Sequence, residues 1–246
     1  MAIVLHLAMT AAEFHTSSPL PCPSAWMACH FSPYSTGLSN LPSQLPKGSL
    51  LILNDRTPVF GHSPERIAQQ LADTAEALEC SGILLDFLRS NESQTQTIAS
   101  AVAALPFPVA VTPPYAERLD CAVFLPPPPM TMPLETHLAP WKGREIWLEA
   151  ALEDQCIRVD QSGSHTVSWD GDELPCPHVD EKLHCLYRME VQEDHIDFFL
   201  RRDKIQLQSL LEEGEKMGIR RFVGLYQQLG ASFAQATAAD TARFHS

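Results

Sequence analysis

Two carboxylates stand where acid–base chemistry is usually built. Asp86 closes the apolar run Ile83-Leu84-Leu85-Asp86-Phe87, and Glu149 sits near the end of Glu145-Ile146-Trp147-Leu148-Glu149-Ala150. Both runs read as buried strands, and a carboxylate at the C-terminal end of a parallel strand lies where barrel enzymes build their sites. A pair separated by about 5–5.5 Å can share the work of glycoside cleavage, one as acid and the other as nucleophile. Asp55 follows a third such run, Tyr115 follows Thr112-Pro113-Pro114, and Glu190 ends a hairpin strand. Each is a candidate for lining a polar pocket beside that pair. Cys176-Pro177-His178 and His184-Cys185 offer zinc-type ligands, but their spacing matches no common finger. The chain holds no GxSxG, no GxGxxG and no GxxxxGK[ST], so no serine elbow, dinucleotide loop or phosphate loop is expected, and no cofactor is implied.

The elements that must position these groups follow from hydrophobic pattern and end signals. Apolar runs at Ile3–Met9, Ala25–Phe31, Leu50–Asn54, Ile83–Phe87, Val109–Thr112, Ala122–Leu125, Ile146–Ala150 and Arg221–Tyr226 read as strands. Most lack polar alternation, as parallel strands covered on both faces do. Ser63-Pro64 starts a helix carrying Ile67, Leu71, Ala75 and Leu78 on one stripe. A second helix spans Ser93–Leu105. A third runs from about Lys204 to Met217 and ends at Gly218. Strand and helix alternate, which is the pattern of a parallel sheet with crossovers. Cys156–Trp169 and the pair Cys185–Val191 and His195–Leu200 instead read as antiparallel hairpins. The expectation is an α/β fold, a (β/α)8 TIM-type barrel forming one domain over residues 1–246, with 151–200 as a late antiparallel hairpin insertion. Residues 231–246 read as a final helix or a frayed tail.

Composition sets outer limits. The chain has 246 residues and a net charge of −13, which argues against a partner built on nucleic-acid phosphates. Arg201-Arg202 and Arg220-Arg221 read as solvated surface. Seven scattered cysteines without a CxxC favour reduced thiols and a cytoplasmic setting. The apolar start has no basic flank and reads as a strand rather than a signal peptide, and no window suits a membrane span. Proline is in excess at 20 against 11 glycines, and Pro58, Pro113-Pro114 and Pro126–Pro129 stiffen strand ends.

The segment Ser81-Gly82-Ile83-Leu84-Leu85-Asp86-Phe87-Leu88 resembles the fourth-strand motif of family 18 glycoside hydrolases, roughly DGxDxDxE. The strand Cys121–Leu125 with Pro126, the hairpin insertion, and an ending of Phe198-Phe199, Asp203-Lys204, Gly218-Ile219-Arg220 and Leu229-Gly230 extend the likeness. The ending looks most like the branch with spore cortex-lytic members. The resemblance implies the barrel, and it aligns Asp86 with the Asp that orients the reacting acetamido group. It also exposes departures. Leu88 stands at the catalytic Glu, Leu84 at the middle Asp and Ser81 at the first Asp. Gln227 falls at the tryptophan that floors the sugar site, with Tyr226 beside it. Leucine cannot protonate a leaving oxygen.

Three functions stay open on these residues. The first is a degenerate glycosidase barrel that binds an N-acetylated glycan or peptidoglycan fragment with little or no hydrolysis, with spore or cell-wall association. The second is an active glycosidase using Asp86 and Glu149 as a relocated pair. The third is a structural or regulatory barrel whose mouth is plugged by Leu84, Leu88 and the proline loop.

Overall fold

In the computed structural model, the described residues are 3–17, 23–32, 37–57, 63–89, 92–169 and 175–230. Pro58 and residues 231–246 lie outside them. In chain order the elements are β1 (Val4–Met9), α1 (Ala11–Thr16), β2 (Ser24–Phe31), β3 (Leu38–Ser39), β4 (Leu50–Asn54), α2 (Pro64–Ala77) and β5 (Gly82–Asp86). Then come α3 (Glu92–Ala103), β6 (Val109–Val111), α4 (Pro113–Ala116), β7 (Ala122–Leu125), α5 (Leu134–Leu138) and β8 (Ile146–Ala150). The last are β9 (Glu153–Asp160), β10 (Gly163–Val167), β11 (His178–Asp180), β12 (Cys185–Val191), β13 (His195–Arg202), α6 (Lys204–Lys216) and β14 (Arg221–Leu225).

Among the described residues, eight parallel strands close on themselves in the order β1, β2, β4, β5, β6, β7, β8, β14, with β14 returning to β1. This is the expected (β/α)8 architecture. All eight expected strands are present. Helix α2 begins on the signal read above. Ser63 accepts from Arg66 N at 3.3 Å ahead of Pro64, and Ile67, Ala68, Leu71 and Ala75 are the buried stripe of α2. Thr10 and Glu13 form a reciprocal capping box that starts α1.

The barrel interior is filled by side chains, as small barrels require. Ala8, Ala25, Ala110 and Ala122 leave room for Leu50, Ile52, Leu84, Val223 and one large group, the fully buried Trp147. Gly82 faces that indole: a Cβ there would sit 2.9 Å from Trp147 and 2.7 Å from Arg221. Arg221 stacks on the Trp147 ring at 4.6 Å and donates to Ser81 O, and Trp147 Nε1 donates to Glu145 at 2.9 Å. At the same end His6 is buried within 3.3 Å of Gly48 O, and burial lowers its pKa from 6.5 to about 4.

The chain divides into two compact units: Met1–Pro126, Gly143–Glu149 and Ile219–Ser246 in one, Pro127–Lys142 and Ala150–Gly218 in the other. The second unit is larger than the hairpin segment 151–200 and takes in α5 and α6. Its antiparallel sheet runs β10-β9-β13-β12-β11. Asp203 caps α6 by accepting from Ile205 N and Gln206 N, and Gly218 follows the helix at φ +95°. Arg202 departs from the solvated reading. It is buried, bonded to Glu153 at 2.5 Å and to Pro128 O at 2.9 Å, because three acceptors converge on one guanidinium. His184 is likewise buried and bridges Ser209 and Glu213 on α6 at 3.1 and 2.7 Å.

His6 yields a signed prediction. Its pKa is depressed on folding, so the neutral ring is stabilising above pH 6.5, and that stability is lost as pH falls from 6.5 through about 4. Denaturant unfolding across this window will show a loss of about 3 kcal/mol in the wild type that is absent from His6→Leu. Parallel pH profiles for the two proteins would refute it.

Candidate active site at the barrel mouth

The C-terminal ends of β4, β5, β6, β8 and β14 carry the expected site residues. Leu84 points into the barrel, so strand alternation turns Asp86, two residues on, to the same inner side at the rim. Trp147 and Glu149 are related in the same way on β8. Asp86 and Glu149 therefore both belong to the inner face, with β6 and β7 between their strands. Met27, Phe124 and Leu225 pack half-buried on the interior cluster. Asp86 is half-buried, and burial, then the neighbouring charge of Asp55, raises its pKa above the usual carboxylate range. A carboxyl held this way retains its proton to higher pH, as a general acid or a hydrogen-bond donor must.

The loop after β5 is held by side chains at four of its backbone polar groups. Asp55 Oδ2 accepts from Leu88 N at 2.9 Å and from Arg89 N at 2.8 Å. Thr112 Oγ1 donates to Phe87 O, and Tyr115 Oη donates to Arg89 O at 2.6 Å. Tyr115 is fully buried, edge-on to Phe87 at 5.6 Å, and burial together with Asp55 pushes its hydroxyl up to about 12. Asp55 and Tyr115 thus hold the loop that follows Asp86. Leu88 shows what this does. Continued alternation would aim it inward with Leu84 and Asp86, but β5 ends at Asp86 and Asp55 captures the next amides. The Leu88 side chain is 75% exposed, while Leu84 is 1% exposed inside the barrel. Of the two leucines, only Leu84 fills the barrel.

The remaining candidates sit elsewhere. Residues 226–230 turn into helix directly after β14. Gln227 hydrogen-bonds the Glu13 carboxylate of α1, and the Tyr226 ring lies against Gly230, where a Cβ would come within 2.4 Å of it. Glu190 belongs to the second unit. Its Oε1 lies 3.4 Å from Arg188 Nε, and the Arg188 guanidinium covers the Phe199 ring at 4.1 Å. That face of the sheet is a ladder of such pairs, with Arg158 and Asp197 bonded twice at 2.8 Å. The zinc-type residues are engaged separately: His178 stacks on Tyr187, His184 serves α6, and Cys185 lies against Met130 O. Among the described residues, no cluster of three or more His, Cys, Asp and Glu is placed to hold a metal ion. No helix among them is long and apolar enough to cross a membrane.

The fold has known counterparts. The chain is similar to the crystal structure of the Bacillus cereus spore cortex-lytic enzyme SleL, with a TM-score of 0.52 and 11% identity, covering 91% of this chain and 70% of that one. The Bacillus megaterium QM B1551 spore cortex-lytic enzyme SleL gives a TM-score of 0.47 and 10% identity over the same shares. What is shared is the barrel fold. No family model matches the chain, and no curated protein matches it in sequence.

The charge of Asp55 acts on its neighbour across the rim. Asp55→Asn will lower the midpoint of Asp86, because a like charge that disfavours ionisation is removed. Carboxyl NMR titration reads this directly; an unchanged or higher Asp86 midpoint would contradict it.

Proposed function

We propose that the barrel mouth binds an N-acetylated glycan and hydrolyses it little or not at all. One observation carries the reading. The position that aligns with the proton donor of family 18 is Leu88, whose backbone is held by Asp55 and whose side chain is exposed. Glycoside cleavage needs an acid on the leaving oxygen, and a hydrocarbon supplies none. Asp86 keeps the complementary half of the chemistry: half-buried, with its pKa raised by burial and by Asp55, its carboxyl can accept from an acetamido group when ionised or donate to it when protonated. Asp55 and Tyr115 are positioning residues on this reading, because they act through the loop they fix. The fold likeness to a spore cortex-lytic enzyme makes a peptidoglycan fragment the first glycan to test.

A second reading draws on the shared inner face of Asp86 and Glu149. With Asp86 as acid and Glu149 as nucleophile, the pair would replace the missing glutamate and retain configuration at the sugar.

Calorimetry with tetra-N-acetyl-chitotetraose and with a peptidoglycan disaccharide will show binding that Asp86→Ala weakens about tenfold, a loss of about 1.4 kcal/mol. The same sugars will remain uncut over hours. Turnover abolished by Asp86→Asn and by Glu149→Gln would replace the binding reading with the relocated pair. Absence of binding to either sugar would leave the barrel a scaffold.

A further inference from the structure

The sheet of the second unit has one open apolar face, distinct from the ion-paired ladder on its other side. Met130 and Leu183 cover part of it, against Cys185, Leu200, Tyr187 and Phe198. The uncovered part is a groove of about 640 Å³ with Ile157, Val159 and Phe198 on its floor and Asp180 on its rim. Val159, Met189 and Val191 continue the same face into solvent, Val191 at 66% exposure. An apolar surface of this kind on a charged unit marks a place where something binds.

The groove runs out at an unprotected sheet edge. Its last wall is Ser164 and Thr166 of β10, and among the described residues β10 pairs with β9 alone. Gly163, Ser164, His165 and Thr166 are all exposed. Proteins normally guard such edges with lysine, proline or a bulge. β10 reads Gly-Ser-His-Thr-Val, in unbroken register with β9. Alternate N–H and C=O groups of an edge strand point outward and can pair with an added strand.

Charge chooses between occupants. The second unit holds 17 acidic and 8 basic residues over 127–142 and 150–218. A second copy would bring the same excess against itself, whereas a cationic segment is drawn in. Asp160, at the start of the β9–β10 turn, is held below the usual carboxylate range by its hydrogen bonds from Ser162, and so stays charged.

We propose that β10 receives an extended segment of another protein, apolar and basic at alternating positions, as a sixth strand of this sheet. The added strand lies about 4.8 Å beyond β10. Its apolar side chains enter the groove beside Ser164 and Thr166, and its Lys or Arg side chains face the opposite side, toward His165 and Asp160. This role is independent of the barrel mouth.

Two nine-residue probe peptides test it, one alternating Val with Lys and one alternating Val with Glu, each labelled for fluorescence anisotropy against the whole chain. The lysine probe will bind, more weakly as salt rises, and the glutamate probe about tenfold less well or not at all. Hydrogen exchange will slow at residues 163–167 only with the lysine probe. Thr166→Lys, an exposed change expected to leave circular dichroism unaltered, will cut the affinity about tenfold, while Lys204→Gln on α6 will not. Equal binding of both probes, protection elsewhere than β10, indifference to Thr166→Lys, or protection of β10 by self-association each overturns the proposal.

Discussion

One indole organises the barrel. Trp147 occupies the space that four alanines leave, Gly82 gives up its side chain to admit it, and Arg221 closes over its ring. With side chains filling the interior, the candidate site carboxylates Asp86 and Glu149 stand at the upper rim. The arrangement also explains why charged groups are tolerated at the lower end. The Arg221 guanidinium rests on the electron-rich ring face and donates to Ser81 O, while Glu145 takes the indole N–H. His6 shares that end and keeps a neutral ring because burial there penalises its cation.

At the upper rim the governing feature is a carboxylate spent on backbone. Asp55 reaches from the end of β4 to two amides beyond β5, and Thr112 and Tyr115 donate to the carbonyls before and after them. Hydrogen bonds to a carboxylate acceptor are the stronger kind, so the backbone that carries Leu88 is well anchored. Burial, and then the charge of Asp55, raises the pKa of Asp86. The exposed Leu88 and the raised pKa of Asp86 therefore both involve the one carboxylate of Asp55.

Much of this architecture was legible because its signals are local. Strands buried on both faces print continuous apolar runs, which is why Leu50–Asn54 and Ile83–Phe87 could be read directly, and Ser63-Pro64 or Gly218 punctuate their helices. The inner side of Asp86 followed from alternation with Leu84. Alternation failed at Leu88 because the interruption comes from Asp55, 33 residues earlier, and nothing in the motif itself announces it. Arg202 read as surface for the same reason: its partners Glu153, His184 and Pro128 converge only in the folded unit. The short β11 and the single turns α4 and α5 are too brief to carry a period. The apolar face of β9, β12 and β13 was visible as alternation, but which part of it stays uncovered depends on where Met130 and Leu183 come to rest.

The order in which the two units use the chain bears on how the protein can be made. β8 is encoded between the two pieces of the second unit, and the partner that closes the barrel against β1 is β14, some 200 residues later. On a ribosome, β1 through β8 emerge with two edges open, at β1 and at β8, and the entire second unit is synthesised before β14 covers them. Exposed parallel edges are prone to wrong pairing. Ser63 caps α2 at its start, and the antiparallel strands of the second unit pair segments close in sequence, β9 with β10 and β12 with β13, so these elements depend least on the last strand.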